Sequence, residues 1–71
     1  MRNFTDKELD EVEVINDKIG EVTLELVDLE HLSMKQLEQV CADSFGGRLN
    51  GKTKAELRNN IFLKSISIFE D

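Results

Sequence analysis

Three helix-opening signatures punctuate this chain and limit what it can fold into. Each pairs a hydroxyl residue with Glu or Gln three positions on: Thr5 with Glu8, Ser33 with Gln36, and Thr53 with Glu56. In such a capping box the hydroxyl accepts from a backbone N–H of the first turn, and the acidic or amide side chain reaches back to the cap. Orphan donors at the helix start are thereby satisfied from both sides. Phe4 before the first box and Leu32 before the second can staple onto Leu9 and Leu37.

The second and third boxes give the clearest reading. A helix from Ser33 to about Ser44 places Leu37, Val40 and Cys41 on one apolar stripe and stops at Gly46-Gly47, whose backbone adopts positive φ without penalty. After an extended loop, a last helix runs from residue 54 to about 65. Leu57, Ile61 and Ile68 lie on one face of it, with Phe62, Ile66 and Phe69 beside them. The alternation Ser65-Ile66-Ser67-Ile68 also fits a strand.

Residues 11–29 match two templates. Glu11-Val12-Glu13-Val14-Ile15 and the run from Glu21 to Val27 alternate polar with apolar, are rich in β-branched residues, and flank the turn-forming stretch Asn16-Asp17-Lys18-Ile19-Gly20. Against that, Val12, Ile15, Ile19, Val22, Leu26 and Leu29 recur every three or four residues, as on a long helix. Asn, Asp and Gly inside one helix disfavour the second template, Gly alone costing about 1 kcal/mol relative to Ala. The expected fold class is therefore α+β: a short N-terminal helical turn, a β-hairpin, then two helices in a helix, extended-loop, helix arrangement. The alternative is all-α with a long N-terminal helix.

With 71 residues and no proline or low-complexity tract to mark a linker, the chain is read as a single domain, 1–71. A domain this size buries only about 60% of its unfolded surface, which makes a homodimer one expected partner. Its one cysteine cannot close an intramolecular disulfide, no signal-peptide pattern opens it, and the longest apolar run is Ile61-Phe62-Leu63. These features point to the cytoplasm and to no membrane partner.

Charge is divided along the chain. The formal net charge is -6, with ten acidic and three basic residues in 1–31 but five acidic and six basic in 32–71. Arg48, Lys52, Lys54 and Arg58 gather on the loop and the start of the last helix, where unpaired N–H groups favour anions. The acidic half carries Glu11, Glu13, Glu21, Glu25 and Asp28, and on a hairpin the first four line one face.

The segment from Gly46 to Thr53 satisfies the G-x-x-x-x-G-K-[ST] pattern of a nucleotide-binding loop. That chemistry requires a preceding strand of a parallel sheet, whereas a capped helix precedes it here. His31 and Cys41 have no third residue to orient them as base and nucleophile, and one His with one Cys supplies too few ligands for a metal. No enzyme activity, cofactor or metal is expected.

The stretch from Ser33 to Ile61 resembles the SAP motif, a helix, extended-loop, helix module associated with DNA binding. Leu37 and Val40 match its first-helix apolar positions, Leu49 resembles its loop leucine, and Gly51 through Leu57 with Ile61 resembles its glycine-x-lysine-alanine-glutamate-leucine signature. The resemblance implies a small binding module that contacts nucleic-acid phosphates through Arg48, Lys52, Thr53, Lys54 and Arg58. The LEM modules, similar in shape, bind protein, and the acidic half offers that second reading. In it the chain is an acidic inhibitor of viral, DNA-mimic type that occupies a basic surface on a partner protein through Glu11, Glu13, Glu21, Glu25 and Asp28.

Overall fold

The computed structural model describes residues 4–47 and 49–67. It contains α1 (Asp6–Glu21), a 3-10 turn (Leu26–Leu29), α2 (Met34–Phe45) and α3 (Lys54–Ser67). Among the described residues there is no strand, and the expected α+β class with its β-hairpin is replaced by an all-helical fold.

The capping box at Thr5 opens a full helix in place of a short turn: Glu8 N–H donates to Thr5 Oγ1 at 3.2 Å, and Thr5 N–H to Glu8 Oε1 at 2.9 Å. Helix α1 then runs through both the first expected strand and the expected turn. Val12, Ile15 and Ile19 are buried on one stripe, whereas a strand would have divided the alternating residues between two faces. Burying three such side chains contributes roughly 1.5–3 kcal/mol each, which outweighs the cost of about 1 kcal/mol for Gly20 in the last turn. Asn16, taken for a turn residue, bridges helices instead. Its Nδ2 donates to Asp43 Oδ2 at 3.2 Å, and its Oδ1 accepts from Ser44 Oγ at 2.6 Å.

The class is that of the all-α alternative, whose long N-terminal helix ends before the apolar seam does. Val22 turns into the left-handed region at φ 59°, its N–H donating to the carbonyls of Lys18 and Ile19, and the apolar seam breaks there. Val22 and Leu26 are exposed, and Leu29 reaches the core only through the 3-10 turn. Lys18 Nζ binds Asp28 Oδ1 at 3.0 Å and ties that turn back to α1.

Helix α2 follows the sequence reading, one residue longer at Phe45, with Leu37, Val40 and Cys41 fully buried. It packs against both α1 and α3, while α3 also rests on the 3-10 turn. Leu29, Leu32, Leu57 and Ile61 complete the centre of the core. Buried Gln36 joins the α2 cap to α1: Oε1 accepts from Ser33 N–H at 2.9 Å, and Nε2 donates to Glu8 O and to Glu11 Oε1. Ser65 and Ser67 donate to carbonyls three residues back, so α3 continues where a strand was considered; Ile68 and Phe69 lie outside the described residues.

Two stability predictions follow from these contacts. A β-branched residue in the left-handed region costs about 1–2 kcal/mol, so Val22→Gly should raise the urea midpoint by an amount equivalent to about 1 kcal/mol. A lower midpoint would mean that the Val22 side chain supplies compensating contacts. The Glu25 N–H, followed by the Lys18 ammonium, holds the Asp28 carboxyl below its ordinary range. A carboxylate depressed by folding contributes stability that is complete above its unfolded-state pKa and lost as pH falls through its folded-state pKa. The destabilisation caused by Asp28→Asn at neutral pH should therefore shrink below about pH 4; in paired urea titrations, a pH-independent difference would contradict this.

Candidate functional site at the start of α3

Helix α2 ends at Gly46, left-handed at φ 77°, where the Gly46 N–H donates to Cys41 O and closes the last turn. The chain then crosses to α3 along a segment held at three points. Half-buried Leu49 packs on the core, Asn60 Nδ2 donates to the Asn50 carbonyl, and Gly51 lies directly on the first turn of α3. A Cβ on Gly51 would stand 2.9 Å from both Cα and N of Leu57, so no other residue fits without moving the helix.

The third capping box forms with a shifted return arm. Thr53 Oγ1 accepts from Glu56 N–H at 3.2 Å, as expected, but Glu56 Oε2 accepts from the N–H of Lys52, also at 3.2 Å. The Glu56 carboxylate thus uses one backbone donor at the loop and offsets part of the positive end of α3. Lys52, Thr53 and Lys54 are exposed, and Arg58 is half-buried one helical turn beyond Lys54 on the same face. The enclosed Nε of Arg58 has no hydrogen-bond partner among the described residues. The structure therefore brings Lys52, Thr53, Lys54 and Arg58 together; Arg48 lies outside the described residues.

The acidic residues named from the hairpin are dispersed. Residues two apart share a face on a strand but stand roughly 200° apart around a helix, so Glu11 and Glu13 separate. Glu11 is half-buried, bonded to Gln36 and 3.8 Å from His31 Nε2, whereas Glu13 is exposed. Asp28 is engaged by Lys18 and the Glu25 N–H, and Glu21 and Glu25 are exposed on either side of the Val22 turn. A different set aligns instead: Asp6, Asp10, Glu13, Asp17 and Glu21 recur every three or four residues, all exposed, on the side of α1 away from Val12, Ile15 and Ile19. The helical period marks this stripe in the sequence, and the strand reading hid it.

The glycines of the nucleotide-binding pattern follow α2 where that chemistry needs a strand. Cys41 is fully buried and His31 exposed beside Glu11. Among the described residues no group of three or more His, Cys, Asp or Glu side chains is placed to hold a metal ion, and no helix is long and apolar enough to cross a membrane.

Compared with protein-family models, curated proteins and solved structures, the chain gives no match. The likeness to the SAP motif rests on the residues from Ser33 to Ile61 themselves.

The tight seat of Gly51 makes it the most sensitive position of the loop. Gly51→Ala should destabilise the fold by about 1–3 kcal/mol through forced displacement of the α3 backbone. Asn60→Ala should cost about 1 kcal/mol, the ordinary worth of one hydrogen bond. Chemical denaturation of both variants checks the order, and an alanine at 51 tolerated better than one at 60 would contradict the packing described.

Proposed function

We propose that this chain is a non-enzymatic binding module that grips the phosphate backbone of nucleic acid through the start of α3. One observation carries the reading: the loop pinned by Gly51, Leu49 and the Asn50–Asn60 bond presents Lys52, Thr53 and Lys54 together at the mouth of a helix, with Arg58 one turn behind. Lys52 and Lys54 supply mobile charge, and the Arg58 guanidinium supplies a planar donor set suited to phosphate. The Thr53 hydroxyl accepts from Glu56 and keeps its own hydrogen to donate. Arg48 belongs to the same cluster by sequence. With no Trp or Tyr in the chain, stacking on unpaired bases has little support, and duplex backbone is the favoured target.

A second reading is supported by the acidic stripe on α1. An exposed run of carboxylates uninterrupted by a basic side chain attracts a basic protein surface and repels nucleic acid from that side of the molecule. In this reading the stripe from Asp6 to Glu21 does the work that the sequence assigned to a hairpin face.

Fluorescence anisotropy with a short labelled duplex separates the two. Three or four phosphate contacts should give a log-log salt slope of about -3 to -4 and weak affinity. Lys52→Glu with Lys54→Glu should lower that affinity more than about tenfold at low salt, whereas Asp10→Lys with Asp17→Lys should leave it equal or tighter. No binding by the unaltered protein at low salt would defeat the nucleic-acid reading.

A further inference from the structure

Between α1 and α2 runs a groove of about 460 Å³ whose floor is apolar and whose rim is acidic. Phe4, Leu9 and Val12 form the floor, with Leu9 47% exposed although every other apolar side chain on its side of α1 is covered or half-covered. Glu13 and Asp43 stand on the rim, and among the described residues no basic side chain lines the groove. Gln39 also lines it. Its Nε2 donates to Asp43 Oδ1 at 2.7 Å, while its enclosed Oε1 has no donor among the described residues. Asp43 is further fixed by Asn16 Nδ2, so its carboxylate is oriented before any ligand arrives.

We propose that this groove receives an arginine side chain from a partner protein. The inference rests on the second reading above and narrows it from an acidic face to one docking point. An aliphatic stem three methylenes long lies well on an apolar floor while its charged head stays at the rim. A planar guanidinium presents donors in several directions at once, which suits two carboxylates better than a lysine's point charge does. Nucleic acid is disfavoured here because its phosphates would meet Glu13 and Asp43.

A short capped peptide of alternating leucine and arginine, and its citrulline counterpart, serve as probes in isothermal titration calorimetry. Citrulline keeps the shape and removes the charge. The arginine peptide should bind saturably, and the citrulline peptide at least about fivefold more weakly. Leu9→Ser and Glu13→Gln, both at exposed positions where the fold loses little, should each weaken the arginine peptide roughly three- to tenfold. Lys52→Glu with Lys54→Glu should not weaken it. Absence of saturable binding, or equal binding of the citrulline peptide, overturns the proposal. If Asp10→Lys with Asp17→Lys abolishes binding while Leu9→Ser and Glu13→Gln leave it intact, the acidic stripe survives as a binding face and the groove does not.

Discussion

The burial of one stripe of α2 is the constraint on which the rest of the structure depends. Leu37, Val40 and Cys41 are fully buried because α1 closes on α2 from one direction and α3 from another. Neither outer helix has a comparable surface to fold against alone, and helices of this length are marginal in water without packing. Gln36 adds direction to this hydrophobic contact. Its single amide closes the α2 cap and bonds α1 at Glu8 and Glu11, so the register between the two helices is fixed by polar groups as well as by fit. A buried amide that satisfies three partners leaves little room for alternative pairings, since any slip would strand it.

The two charged sets also lie on different elements. The acidic stripe of α1 lies away from the core, and the basic cluster sits where the loop from α2 delivers the chain to α3. The loop is the costlier part of this design. It is fixed by the contact of Gly51 with Leu57 and by a side-chain bond from Asn60, where the helices are held by many apolar contacts. A loop so fixed presents Lys52 and Lys54 with less conformational entropy to lose on binding than a free one would.

Much of this was legible in the sequence, and what was missed shares one cause. The capping boxes at Thr5 and Ser33 and the stop at Gly46 are local signals, and local chemistry determines them. The identity of residues 11–21 is a tertiary matter. Val12, Ile15 and Ile19 satisfy a helical stripe as well as Glu11 to Ile15 satisfies a strand, and the choice falls to the helix because α2 offers a surface that covers the stripe. Asn16 looked like a turn former until its partners, Asp43 and Ser44, were brought opposite it. The acidic site follows from the same choice, since a strand aligns alternate residues and a helix every third and fourth. For the basic cluster, the pattern around Lys52 was visible, but nothing in the spacing marked Asn60 as the residue that anchors the loop.

We propose that the two charged sets on this small frame have separate partners, with nucleic acid taken at the start of α3. Amide chemical-shift mapping on isotope-labelled protein, titrated with a short DNA duplex at about 50 mM salt, tests it most directly. Shifts should concentrate in residues 49–58, with the amides of α1 unmoved. Shifts centred on the stripe from Asp6 to Glu21, or none anywhere along the chain, would contradict it.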